Sequence, residues 1–268
     1  MERIGLIGFG NMGEAIVNRL LKNTSDFEIT ICEKKEERIV TARERYGLPA
    51  FKNNKSLLKE SDLIVIAVKP QDIDSLLQDI SGISAKEHME RKGIISIAAG
   101  ISIEYISKKL KTKNIARLMP NIAAKVGKAF TAISFSADSD LEFREKVSFI
   151  GRVLGTTLVV PEEIIPAITG ISGSGIAYVF KFIEAMTMGG VLSGIPYKDS
   201  LDITIQVVQG AIEILKTYGK DTHRLITEVT SPGGTTVSGL RILEKSGFNG
   251  LIMDAIKSAT ERAKELEA

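Results

Sequence analysis

The sequence predicts an α/β protein in two parts: an N-terminal Rossmann-type domain, doubly wound on a mostly parallel sheet, and a C-terminal all-helical domain. Three observations predict it. Short apolar runs alternate with helical spacing through the first 160 residues. The first run leads into a glycine-rich turn, Gly8-Phe9-Gly10-Asn11-Met12-Gly13. After Val160-Pro161 no segment with period 2 follows, only long helical stretches. The expected boundary separates a dinucleotide-binding domain, residues 1–160, from residues 161–268.

Taken in order, the strand candidates are Ile4–Ile7, Glu28–Cys32, Leu63–Val68, Ile94–Ala98, Ile115–Leu118, Thr131–Ser134 and Thr157–Val160. Between them lie helical patterns at Met12–Lys22, Glu36–Tyr46, Ser56–Glu60, Gln71–Ile80, Ile103–Leu110 and Leu141–Leu154. Continuous apolar strands separated by helices imply a parallel sheet covered on both faces. Right-handed crossovers then produce a doubly wound fold. The later helices are expected at Glu163–Thr169, Gly175–Leu192, Tyr197–Tyr218, Asp221–Val229, Thr236–Ser246 and Asn249–Leu266. Gly194-Ile195-Pro196, Gly219 and Ser231-Pro232-Gly233-Gly234 break them apart. Ala177–Phe182 and Met186–Leu192 are apolar nearly all round, which demands burial on every face. A hundred residues supply that poorly alone, so a homodimer packed through the helical domains is expected.

The 268 residues carry 35 basic and 33 acidic side chains, and no basic block stands clear of acidic neighbours. That gives no sign of a nucleic-acid surface. No apolar run reaches about 18 residues, so no membrane span is expected. The N-terminus runs straight into a strand pattern without a signal-peptide layout. Cys32 is the only cysteine, which excludes a disulfide within the chain and fits a reducing, cytoplasmic setting. It reads as a small core residue.

The glycine turn follows a strand and opens a helix, the placement that makes it a dinucleotide signature. Gly8 permits the tight turn, Gly10 leaves room for a pyrophosphate, and Gly13 lets helix and strand pack closely. The helix N-terminus offers free N–H groups to the phosphates. Phe9, Asn11 and Met12 complete the turn. At the end of the second strand stands Glu33, 20 residues after Gly13, where a carboxylate hydrogen-bonds a ribose 2′-hydroxyl. Lys34, Lys35 and Arg38 beside it suit a 2′-phosphate instead. The cofactor is therefore NADH or NADPH, with a lean toward NADH. Ala67-Val68-Lys69-Pro70, Ala98-Ala99-Gly100 and Met119-Pro120-Asn121 should reach the same carboxyl edge of the sheet.

Two histidines, His88 and His223, both read as solvated surface residues, and no His or Cys spacing suits a metal. A substrate that needs neither a strong protein base nor a metal fits this poverty. A protonated cyclic imine is such a substrate, because its C=N carbon is already electrophilic. Ser231-Pro232-Gly233-Gly234-Thr235-Thr236 heads a helix. Two glycines let N–H groups converge and three hydroxyls stand by, a cradle for one carboxylate.

These motifs, together with Thr169-Gly170-Ile171-Ser172-Gly173-Ser174-Gly175 and Ala177-Tyr178, resemble those of pyrroline-5-carboxylate reductases over essentially the whole chain. The resemblance implies reduction of 1-pyrroline-5-carboxylate to L-proline. It implies dimers through interleaved helical domains, often assembled as decamers of five dimers. It places the substrate carboxylate on Ser231, Gly233, Gly234, Thr235 and Thr236, with Thr236 on the imine nitrogen as the catalytic candidate. It also places Asn54 on the cofactor ribose, and Ala67, Val68, Lys69, Pro70, Ala98, Ala99 and Asn121 around the cofactor. Ile176 departs from the proline usual there, and Glu33 is atypical of members that prefer NADP. A β-hydroxyacid dehydrogenase is disfavoured because Val179 stands where that class has a catalytic lysine, and Lys181 falls on another part of the helix. A non-enzymatic nucleotide sensor has no use for a carboxylate cradle.

Overall fold

Apolar residues at alternating positions set two buried layers against a single sheet. In the computed structural model, which describes residues 2–84, 89–219 and 221–267, eight strands form it. They are β1 (Glu2–Ile7), β2 (Phe27–Cys32), β3 (Ala50–Phe51), β4 (Leu63–Ile66), β5 (Gly93–Ser96), β6 (Ile115–Pro120), β7 (Ala129–Phe135) and β8 (Gly155–Val159). The order is β3-β2-β1-β4-β5-β6-β7-β8. Only β6 and β7 pair antiparallel; every other neighbouring pair is parallel. In β4, Leu63 and Val65 join one apolar cluster while Ile64 and Ile66 join the other, as the two-residue period of a strand requires.

Helices cross between the strands: α1 (Asn11–Asn23), α2 (Glu36–Tyr46), α3 (Asn54–Glu60), α4 (Ile73–Ser84), α5 (Ile103–Lys109) and α6 (Leu141–Leu154). From β1 the chain winds outward through β2 and β3, then returns to β4 on the other side of β1. This reversal opens a crevice at the carboxyl ends of β1 and β4.

The chain divides into two compact units, Met1–Gly173 with Ala259–Ala268, and Ser174–Ser258. The first ends in a 3₁₀ turn at Glu162–Ile164, α7 (Ile165–Ile168) and a π turn at Thr169–Gly173. One helix was expected over Glu163–Thr169. Pro166 at the start of α7 and the glycines of the π turn break it into three pieces. At the far end of the chain, Glu267 joins Glu162 around the buried Arg117, at 2.9 and 3.1 Å. Gly100 has φ +76, and a Cβ there would run into the Leu266 carbonyl. The glycine of the Ala98-Ala99-Gly100 motif thus makes room for the Leu266 carbonyl.

The second unit holds α8 (Gly175–Leu192), α9 (Tyr197–Tyr218), α10 (Thr222–Glu228), α11 (Thr235–Lys245) and the first part of α12 (Phe248–Glu265). The Ser200 hydroxyl donates to the Thr187 carbonyl at 2.7 Å and ties α9 to α8. Large apolar side chains stand exposed on this unit, among them Phe180, Leu192, Leu251 and Met253. The helical run Glu162–Leu192 holds an 18-residue window of mean hydropathy 1.3, enough in length and composition for a membrane span. No span was expected, because Lys181, Glu184 and the small polar residues keep every apolar run there short while the average stays high.

Candidate functional site

The glycine turn is held by its own backbone. Gly8 takes φ +95, open to glycine and strained for other residues, and its N–H donates to the Cys32 carbonyl at 2.8 Å. A Cβ on Gly8 would lie 2.7 Å from the Ala67 carbonyl oxygen. A Cβ on Gly13 would press into the Gly8 carbonyl oxygen, well inside van der Waals contact. Gly10 caps α1 and no side chain closes the first turn, so the leading N–H groups of α1 remain open to an anion.

The turn forms one wall of a cleft of about 740 Å³ at the carboxyl ends of the parallel strands. Of the cofactor residues read from the sequence, Gly8, Gly10, Asn11, Met12, Glu33, Lys34, Lys35, Asn54, Ala67, Val68, Lys69, Pro70, Ala98 and Ala99 line it. Arg38, Lys52, Met119 and Pro120 line it as well. Three expected residues stand back from it. Phe9 is buried, its ring edge-on to Tyr46 at 5.8 Å. Gly13 acts by packing. Asn121 spends its amide on structure: Nδ2 donates to Ser172 and Oδ1 accepts from the Ala123 N–H at 3.2 Å.

Glu33 is 8% exposed and serves the fold as well as the cleft. One carboxylate oxygen accepts from the Phe9 N–H at 2.8 Å; the other accepts from Lys34 N–H at 2.8 Å and Lys35 N–H at 3.0 Å. Burial pushes its pKa up, but the Lys35, Phe9 and Lys34 N–H groups and the Arg38 cation together bring it below the ordinary value. Arg38 lies 3.6 Å from Glu33 and borders Gly10. A carboxylate has about four acceptor positions. Three are taken by the backbone, which leaves about one for a ligand hydroxyl. The sequence showed the carboxylate but not its bond to the glycine turn, which depends on how β1 and β2 lie side by side.

Cys32 meets its expectation as a core residue. Burial pushes its thiol up to about 11, with Glu33 and Asp79 adding to the effect, so it stays protonated and unreactive near neutral pH. Asn54, the first residue of α3, is 9% exposed. Its Nδ2 donates to Asp79 at 2.6 Å, and its Oδ1 is buried with no hydrogen-bond partner among the described residues.

In the second unit, Ser231–Thr236 forms the turn expected of it. Gly233 takes φ +68, the Gly234 N–H donates to the Ser231 carbonyl at 3.0 Å, and Gly234 caps α11 without a side-chain bond. A Cβ on Gly234 would press into the Ser231 hydroxyl. Open N–H groups at a helix start, with Ser231, Thr235 and Thr236 hydroxyls beside them, suit a small anion. His223 lies exposed in α10, and His88 lies outside the described residues. No cluster of His, Cys, Asp and Glu suited to a metal occurs among the described residues.

Comparisons with known proteins match both parts of the chain. Residues 162–266 match the family model described as pyrroline-5-carboxylate reductase dimerisation, and residues 3–100 match NADP oxidoreductase, coenzyme F420-dependent. A pyrroline-5-carboxylate reductase of Aquifex aeolicus is 38% identical over 98% of this chain and 97% of its own. A 1-pyrroline-5-carboxylate reductase of Streptococcus pyogenes, solved by crystallography, is 32% identical with a TM-score of 0.88 over 98% of both chains. A pyrroline carboxylate reductase of Plasmodium falciparum, solved with NADP bound, is 27% identical with a TM-score of 0.87 over 100% of this chain and 98% of its own.

Proposed function

The chain belongs to the pyrroline-5-carboxylate reductase family, and on that premise we infer which of its residues carry out the reaction. It is an oxidoreductase that reduces 1-pyrroline-5-carboxylate to L-proline with NADH or NADPH, the last step of proline synthesis. The observation that carries the division of labour is the open turn at the start of α11, which has the form of a carboxylate cradle.

The cleft suits a dinucleotide. Gly10 leaves no side chain between the helix N-terminus and a pyrophosphate, Gly8 and Gly13 keep the turn tight, and Glu33 and Asn54 line the cleft where a ribose would lie. The bound nicotinamide supplies the hydride. Ser231, Gly233, Gly234 and Thr235 hold the substrate carboxylate through N–H groups and hydroxyls. Thr236 hydrogen-bonds the imine nitrogen and keeps its proton in place while the C=N bond is reduced. The protonated imine needs no further activation, so the chain's task is orientation. Incubated with pyrroline-5-carboxylate and reduced cofactor, the protein should form proline mole for mole with oxidised cofactor. Cofactor loss without proline would refute the assignment.

The helical unit is a dimerisation domain by family, and this accounts for the exposed apolar residues of α8 and α12. We read the assembly as a homodimer, extended to a decamer of five dimers, with no nucleic acid or membrane partner, in the cytoplasm. Phe180 is 64% exposed, so Phe180→Asp should spare the single chain and break the dimer. Light scattering after size exclusion should find monomer at micromolar concentration; an unchanged dimer would remove α8 from the interface.

A further inference from the structure

Ala98 and Ala99 follow β5 and line the cleft, and Met119 and Pro120 line it at the end of β6. Strands β4, β5 and β6 lie on the opposite side of β1 from β2 and β3. In a dinucleotide fold the glycine turn holds the pyrophosphate and the end of β2 the adenosine, so the β4–β6 side takes the nicotinamide half. One segment is fastened beside both of these walls. Leu266-Glu267, which follows α12, sets the Leu266 carbonyl against Gly100, where a Cβ would collide with it. Gly100 also takes φ +76, a conformation open to glycine. The Glu267 carboxylate lies 2.9 Å from Nη2 of Arg117, two residues before Met119 on β6. Arg117 is 3% exposed, and the Glu267 oxygen in this pair is itself buried. Glu162 completes the arrangement. One of its oxygens accepts from Arg117 Nη1 at 3.1 Å and from the Ile103 N–H at 2.9 Å. Ile103 opens α5, so residues 98–102 are held at Gly100 and again where the helix starts. All of these residues belong to the first unit. A buried arginine is costly once a partner is removed, and the Arg117 Nε has no acceptor among the described residues.

We propose that Arg117, Glu162 and Leu266-Glu267 are positioning residues for the nicotinamide half of the cofactor. None of them lines the cleft. They fix the backbone of Ala98-Ala99-Gly100 and of Met119-Pro120, the surface against which the ring is oriented for hydride transfer. An error of about 1 Å in such a surface is enough to cost about a hundredfold in rate. The inference rests on the cleft being the dinucleotide site.

The test is calorimetric titration of the full chain, without substrate, with NADH and with ADP-ribose. ADP-ribose carries the adenosine and pyrophosphate but no nicotinamide. Glu267→Ala removes one partner of Arg117 and leaves Glu162 in place. It should raise the Kd for NADH about fivefold and leave that for ADP-ribose within about twofold. Gly100→Ala disturbs the same loop at its other contact and should give the same pattern. The double variant should lose little more than the weaker-binding single one, because both act through one loop. Equal losses for NADH and ADP-ribose, unchanged affinity for both, or losses that multiply in the double variant would overturn the inference alone. Wild-type protein that binds neither ligand would overturn the reading of the cleft and this inference with it.

Discussion

Gly13→Val should abolish cofactor binding, raising the Kd for NADH and NADPH by at least about a hundredfold. The expected size follows from three contacts that leave no way out. The added Cβ would press into the Gly8 carbonyl oxygen, and Leu6 Cδ2 closes the other side at 3.2 Å. Gly8 cannot retreat, because the Ala67 carbonyl stands 2.7 Å from its own Cβ direction and its N–H is bonded to Cys32. The turn must open or α1 must move off the sheet, and either displaces the N–H groups that would hold the pyrophosphate. Fluorescence titration should find no saturable binding. The unfolding temperature should also drop by several degrees, since overpacking of this kind commonly costs about 1–3 kcal/mol. Gly13→Ala should fall between the two. Near-normal affinity in Gly13→Val would mean that the dinucleotide does not lie on this turn.

Thr236→Ala should lower kcat/KM for pyrroline-5-carboxylate by roughly 10- to 100-fold, the loss expected for one hydrogen bond to a charged group. The Kd for either cofactor should stay within about twofold, because Thr236 belongs to the second unit and the cleft is built wholly from the first. The hydroxyl is replaceable without collapse: Gly234 caps α11 and the helix does not depend on the side chain for its first turn. Thr236→Ser, which keeps a hydroxyl, should recover much of the rate. Equal loss of cofactor affinity would contradict the role given to this loop.

Much of this architecture is legible in the residues because burial imposes a period. The limits of α2, α6, α8 and α9 match the helical patterns residue for residue. The strands around Gly8–Gly13 and Ala67–Pro70 read as apolar runs because both faces of the sheet are covered. β3 escapes because two residues cannot display an alternation. The direction of β7 is equally hidden: a strand buried on both faces has the same composition whether it runs parallel or antiparallel.

At the site, glycines are legible because their lack of a side chain is itself the signal. Side chains with two possible tasks are harder. Asn121 belongs to a motif at the sheet edge, yet its amide ties the Thr169–Gly173 turn to the strand end. Glu33 reads as a ribose ligand from its distance to Gly13, but its bond to the Phe9 N–H emerges only when β1 and β2 lie in register. Asp79 has no motif around it. Its hydrogen bond to Asn54, 25 residues away, emerges only when α4 packs beside α3.

In the proposed reaction an imine is reduced while the α11 cradle grips its carboxylate. The most direct measurement compares kcat/KM for pyrroline-5-carboxylate with that for the same ring lacking the carboxylate, each followed by loss of reduced-cofactor absorbance. Oxidation should be rapid with the carboxylated imine and at least about a hundredfold slower without it, since two or more charge-assisted hydrogen bonds are lost. No oxidation with pyrroline-5-carboxylate despite cofactor binding, or equal rates on the two rings, would contradict it.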